Sequence, residues 1–228
     1  MSQVRIHLTR HGEVHNPERL LYGRLPGYGL SSRGHEMASR LAEHFTSPDF
    51  AVAALVSSPL QRAQETIAPL AGALEMTPRI DERVIEAANS FEGMVVDRSH
   101  LTQPANLVRL YNPLRPSWGE PYQQQVMRMR AAIASLRRQL EPLAAGDGVA
   151  GGVAGGDGSV DGVIVSHQLP IWVTRRAAEG QRLWHDPRER ECALASVTTF
   201  TYEAGELTGI DYTDVCADLQ PVKAVPGA

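Results

Sequence analysis

The chain has little of what most often marks a specialised role. Among 228 residues only Cys192 and Cys216 are cysteine, and no CxxC spacing occurs. That excludes a disulfide-dense scaffold and a cysteine-based zinc site. Both thiols read as buried apolar fillers in a reducing compartment, although a disulfide between them stays open. Lys223 is the single lysine, so an internal cationic pocket would have to be built from arginine and histidine. No apolar run approaches the roughly 18–20 residues that cross a bilayer, and no signal-peptide pattern precedes the first strand. Cytoplasmic residence without a membrane partner is therefore expected. A net charge of −4 argues against bulk attraction to nucleic acid or anionic lipid. None of the eight histidines sits in an HExxH or equivalent ligand pattern, so no metal and no cofactor is expected. His7, His35, His44, His100 and His185 read as ordinary surface or part-buried residues, as does His15, whose loop position makes it worth following.

The composition, 43% hydrophobic and 21% charged, is that of a globular chain long enough for one substantial core. Val4-Arg5-Ile6-His7-Leu8 alternates as a strand and runs into Thr9-Arg10-His11-Gly12-Glu13. A polar loop follows from His15 to Leu30. Ser31 or Ser32 then caps a helix through Met37, Leu41 and Phe45. Ala51–Val56 reads as a buried strand ending at Ser57-Ser58-Pro59, with a helix over Leu60–Leu74 and a short edge strand at Arg79-Ile80. Residues 81–120 lack clean periodicity and read as an excursion over the active face. Pro121–Leu143 carries a helical apolar stripe at Val126, Met129, Ile133, Leu136 and Leu140. Residues 144–162, rich in glycine and alanine, read as a flexible connector whose glycines match neither a Walker loop nor GxGxxG. Val163-Ile164-Val165 is a buried strand, and Pro170 opens the next helix. Ser196–Glu203 and Glu206–Tyr212 form a hairpin, and 218–228 is a loose tail. The expectation is one domain over 1–217, a three-layer α/β/α sandwich with a mostly parallel sheet.

Three strand exits carry Arg10-His11, Ser57-Ser58-Pro59-Leu60-Gln61-Arg62 and Ser166-His167. In an open α/β sheet that edge binds ligands. Two histidines and two arginines converging there suit an anion with several oxygens, most simply phosphate.

Thr-Arg-His-Gly-Glu at 9–13, Ser-Ser-Pro-Leu-Gln-Arg-Ala-Gln-Glu-Thr at 57–66 and Val-Ser-His at 165–167 resemble the histidine phosphatase superfamily, the phosphoglycerate mutase-like family, from residue 4 to about 212. The resemblance implies that fold, His11 as a nucleophile that becomes phosphohistidine, and Arg10, Arg62 and His167 as ligands of the phosphoryl oxygens. It also implies a glutamate as proton donor. Glu86 is assigned, with Glu82 as rival and Glu92 as a weaker one. Trp118-Gly119-Glu120 resembles a family feature that shapes the pocket wall, or else caps the long helix. Tyr22-Gly23-Arg24 resembles the substrate loop, making Gly23 and Arg24 candidate substrate contacts, Arg24 to a second anion.

Departures from the pattern affect the substrate. Asn16, a further candidate phosphate contact, stands one position early. Gln168 replaces a common glycine and is placed against the substrate, and Ser90 stands near where a glycine is frequent. Known mutases of the family carry an Arg-Arg-Ser-Tyr segment and a lysine before the second histidine, and residues 87–166 have neither. The expectation is a phosphatase acting on a small phosphorylated molecule. A mutase, or a non-catalytic phospholigand-binding scaffold on the same fold, is the alternative. The arginines and Trp184 around 175–190 are read as a solvated face, with contact to substrate or to a second subunit of a homodimer left open.

Overall fold

The computed structural model describes residues 3–95, 119–146 and 158–221. Trp118, His100, most of the expected excursion, the middle of the glycine-rich segment and the end of the tail lie outside the described residues. The alternating start of the chain becomes β1 (Gln3–Arg10), followed by α1 (Ser32–Phe45), β2 (Val52–Ser57), α2 (Gln61–Ala73) and the short β3 (Arg79–Ile80). Then come α3 (Tyr122–Ala144), β4 (Ser159–Ser166), α4 (Gln168–Ala178), β5 (Val197–Glu203) and β6 (Glu206–Thr213). Ser31 caps α1, its side chain accepting from the Gly34 amide.

The six strands lie in the order β3-β2-β4-β1-β5-β6. The first four are mutually parallel, and β5 and β6 close one edge antiparallel. The hairpin turns at Ala204-Gly205, both at positive φ (50° and 84°), as a two-residue loop requires. One face of the sheet packs Ile6, Leu8, Val56 and Ile164 against Met129, Ile133, Leu136 and Leu140 of α3 and Ile171 of α4. The other packs Leu55, Val163 and Val165 against Met37, Leu41 and Phe45 of α1 and Ile67 and Leu70 of α2. Helices thus cover both faces, giving the expected three layers. Cys192 and Cys216 are free and buried. Among the described residues, no helix is long and apolar enough to cross a membrane.

This topology makes the crevice. The chain leaves β1 towards the α1/α2 face and leaves β4 towards the α3/α4 face, so the backbone parts between two adjacent parallel strands. Register brings the exits level: Arg10 pairs with Ser166, and Ser57 with Val165. His11, Ser58 and His167 therefore emerge together.

Two boundaries differ from the sequence reading. β4 begins at Ser159, so 159–162 belongs to the sheet and not to a connector. The reason is partnership across the fold. Asp161 is fully buried against Arg5, His7 and the Ala51 amide. A side chain at Gly162 would stand 2.8 Å from Leu136 and Leu140, so α3 packs directly on its backbone. The tail is also fastened further than expected: Ala217–Leu219 makes a 3₁₀ turn, and Gln220 donates to Leu194 O at 2.9 Å.

Candidate active site

His11 is fully buried at the β1 exit. Its Nδ1 lies 2.8 Å from its neighbour's carbonyl, Gly12 O, which accepts the ring N–H and fixes the tautomer. Nε2 then carries the lone pair and has no partner among the described residues. Burial first, then the charges of Arg62 and Arg10, hold the imidazole well below its ordinary pKa, so it is neutral and nucleophilic. Gly12 lets the β1 exit touch helix α1 backbone to backbone: a Cβ there would stand 2.7 Å from Gly34 O.

Arg10 and Arg62 are each anchored by one terminal nitrogen. Arg10 donates to Cys192 O and Arg62 to Gly23 O, both at 2.7 Å. Arg62 also lies over the Tyr22 ring at 4.7 Å. The Nε of each arginine is buried and has no partner among the described residues. His167 stands beside His11, ring centroids 5.2 Å apart, with Nε2 2.7 Å from Ser58 Oγ and Nδ1 unpartnered. Burial, chiefly, and Arg62 lower its pKa well below the ordinary value.

Glu86 completes the group. Ser166 Oγ donates to Val84 O at 2.7 Å and pulls the 3₁₀ turn Glu82–Val84 onto the β4 exit. Glu86 Oε1 accepts from the Ala87 amide, and Oε2, unpartnered, lies 4.0 Å from His167 Nδ1. Burial raises its pKa, against the pull of the Ala87 amide and of Arg62 and Arg10, which favours the protonated acid. Glu82 is exposed, whereas Glu92 is held by the amides of Arg24 and Asn89. Of the three glutamates considered, Glu86 is the one gathered with the histidines.

The other expected contacts sit differently. Asn16 closes its own loop, its side chain bonding both ways to Leu20. Arg24 donates to Glu86 O at 2.7 Å and pairs with Glu120 at 3.0 Å, so its guanidinium braces the Glu86 segment instead of reaching outward to a second anion. Glu120 is gripped from its other side by Arg128 and lines the adjoining chamber. Gly23 contributes its carbonyl to Arg62. Gln168 bridges Cys192 O and Arg190. His15 is exposed. The described residues contain no cluster of histidine, cysteine, aspartate and glutamate suited to a metal.

Four residues escaped a role in the sequence reading. Ser58 and Thr66 lie inside the second motif, and Thr66 Oγ1 accepts from the Gly12 amide at 3.0 Å. Gln125 is a polar residue four before Met129 on the buried stripe of α3, a spacing that marks it as inward-facing. Arg190 belongs to the stretch read as a solvated face, yet it reaches the same crevice.

The assembled group is a buried, electropositive crevice with two imidazole nitrogens and two arginine Nε donors unpartnered among the described residues, and one protonatable carboxyl. It suits attack on a tetrahedral anion with proton delivery to a leaving group. A family model described as the histidine phosphatase superfamily (branch 1) matches residues 6–214. The uncharacterized protein Rv0525 of Mycobacterium tuberculosis (strain H37Rv) is 42% identical over 95% of this chain and 98% of its own. Two solved structures each superpose with a TM-score of 0.67. YhfR of Bacillus stearothermophilus is 23% identical over 90% of this chain and 94% of its own. The mycobacterial glucosyl-3-phosphoglycerate phosphatase Rv2419c is 22% identical over 92% and 95%.

Proposed function

The chain belongs to the histidine phosphatase superfamily, and on that premise we propose a phosphatase that hydrolyses the phosphate monoester of a small molecule through a phosphohistidine on His11. His11 Nε2 attacks phosphorus, and the N–P bond forms as the ester P–O bond breaks. The proton on Glu86 passes to the departing alkoxide, a leaving group too basic to depart unaided. Water then attacks the phosphohistidine and returns a proton to Glu86. The N–P bond breaks, inorganic phosphate leaves, and both residues are restored. Arg10, Arg62 and His167 hold the equatorial oxygens throughout and offset their charge.

One observation carries this reading. His11 Nε2, Arg10 Nε, Arg62 Nε, His167 Nδ1 and Glu86 Oε2 are all buried and all without a partner among the described residues. Buried polar atoms are nearly always paired within the fold, so five unpaired in one crevice imply an external one. A single tetrahedral anion with an attached alcohol satisfies them all.

The test is turnover of p-nitrophenyl phosphate by wild type and His11→Ala, with alkaline trapping of the phosphoenzyme. Rapid turnover in the wild type alone, with alkali-stable, acid-labile label on His11, is expected. Equal rates remove His11 from the chemistry. Efficient conversion of 3-phosphoglycerate to 2-phosphoglycerate would assign a mutase instead, and binding without turnover of any phosphoester would assign a scaffold.

A further inference from the structure

Against Glu86 lies a cavity of about 160 Å³ whose lining includes none of His11, Arg10, Arg62 and His167. Leu21, Ala87, Leu169 and Pro187 give it apolar walls, and Glu86 and Gly23 are shared with the crevice. An alkoxide receiving the Glu86 proton would leave in this direction. Two polar groups face the chamber's lining. Gln125 is fully buried, and its amide nitrogen donates to Glu120 O at 2.9 Å, which fixes which end is oxygen. Its Oε1, an acceptor only, has no partner among the described residues. Arg190 gives Nε to His185 and one terminal nitrogen to Gln168, and among the described residues no carboxylate pairs with it.

We propose that this chamber receives the alcohol half of the substrate, and that the alcohol is a small neutral polyol recognised by Gln125 Oε1 and Arg190. This rests on the phosphatase reading of the crevice. An unpartnered acceptor, Gln125 Oε1, and a guanidinium without a carboxylate partner among the described residues, Arg190, lining one chamber suit hydroxyl groups, which donate and accept at once. Size sets the upper limit: an apolar cavity of about 150 Å³ takes benzene, so this one takes a group of about six non-hydrogen atoms. The acceptor sets the class: Gln125 Oε1 takes a hydroxyl donor and repels a carboxylate oxygen, which has no proton to give. The apolar walls suit the carbon skeleton of the polyol.

The experiment compares kcat/KM for propyl phosphate, glycerol 1-phosphate and 3-phosphoglycerate, with p-nitrophenyl phosphate as the reference for transfer itself. Glycerol 1-phosphate should exceed propyl phosphate by about 10–100-fold, the discrimination a buried unpaired acceptor imposes on an ester lacking the hydroxyl. Gln125→Leu should bring that ratio close to one, and Arg190→Gln should lower it part of the way. Because the readout is a ratio, general loss of rate cancels. A wild-type ratio of one overturns the proposal even where Gln125→Leu fails to fold. A preference for 3-phosphoglycerate assigns Arg190 to a carboxylate and overturns the neutral class. If p-nitrophenyl phosphate is hydrolysed through His11 while the ratio is one, the phosphatase reading survives alone. A wild type inert towards every ester overturns both.

Discussion

Two buried histidines lie four residues apart along one stretch of chain, and they have opposite surroundings. His7 is enclosed by partners: Nδ1 meets Thr199 Oγ1 and Nε2 meets Asp161, both at 2.9 Å. Asp161 in turn accepts from Arg5 at 2.6 and 2.9 Å and from the Ala51 amide at 2.6 Å. His11 has one partner, its neighbour's carbonyl, and stands among four other residues with unpartnered atoms. Burial lowers the pKa of both rings. Neither burial nor a shifted pKa therefore separates structure from chemistry here. Closure does: a network whose donors and acceptors are matched internally holds the fold, and one left open is available to a ligand.

The comparison breaks most visibly at His11. His11→Ala should reduce kcat by roughly 10⁴-fold or more, as loss of a covalent nucleophile does. His7→Asn should lower stability and leave turnover per folded molecule in place. Equal loss of activity in the two, measured on folded protein, would erase the distinction. Glu86→Gln comes next, with a fall of about 10²–10⁴-fold in kcat/KM. Its pH profile gives the sign. In the proposed mechanism Glu86 acts protonated, and burial has raised its pKa, so wild-type kcat/KM should fall as pH climbs through that raised value. In the same proposal His11 acts neutral, and burial with Arg62 and Arg10 has lowered its pKa, so the acid limb should lie well below ordinary imidazole titration. In Glu86→Gln the alkaline limb should vanish and the acid limb remain.

At the closed network the readout changes from rate to stability. Asp161→Ala strips partners from Arg5, His7 and the Ala51 amide, and should cost about 3–5 kcal/mol in urea unfolding at neutral pH. Burial alone would raise the pKa of Asp161, but the hydrogen bonds from His7 and Arg5 outweigh it and hold the carboxyl at about 2. A depressed pKa stabilises the fold above the ordinary carboxylate value of about 4 and loses that contribution as pH falls towards 2. The wild type should lose this part of its stability across that window, and the variant, lacking the group, should not. Turnover per folded molecule should be unchanged.

The open cluster was the more legible of the two. Its residues lie within a few positions of strand exits, and the order of the motifs with the parallel pairing of β1, β4 and β2 brings those exits to one edge. The closed cluster was not legible. Asp161 sits between Val160 and Gly162 in a segment whose composition reads as linker, and its three partners come from Arg5, His7 and Ala51, more than 100 residues away. Local pattern carries no information about a partner that distant. The same limit hid Arg190, read as solvated because its neighbours in sequence are charged. Gln125 could have been found from its place on the apolar stripe of α3, where a polar side chain needs a reason to be buried. Gly12 follows the same limit: the sequence does not say that Gly34 will stand opposite it.

The smallest effect is also the one that joins the two kinds of cluster. Thr66 is a closed contact that supports the open one: its hydroxyl donates to Arg62 O at 2.6 Å and accepts from the Gly12 amide at 3.0 Å. Gly12 O is in turn the acceptor that orients His11. Thr66→Val keeps the shape and leaves that buried amide without an acceptor, a loss of about 1–3 kcal/mol in stability. Thr199→Val makes the same kind of cut in the middle of β1, removing the hydroxyl beside His7 Nδ1. If closure is what separates the two histidines, both variants lose stability, but only Thr66→Val also lowers kcat, with KM little changed, because only its amide positions a reacting nitrogen. Matched kcat values for the two variants, measured under conditions where both are folded, would show that the Gly12 peptide holds the His11 ring without help from Thr66.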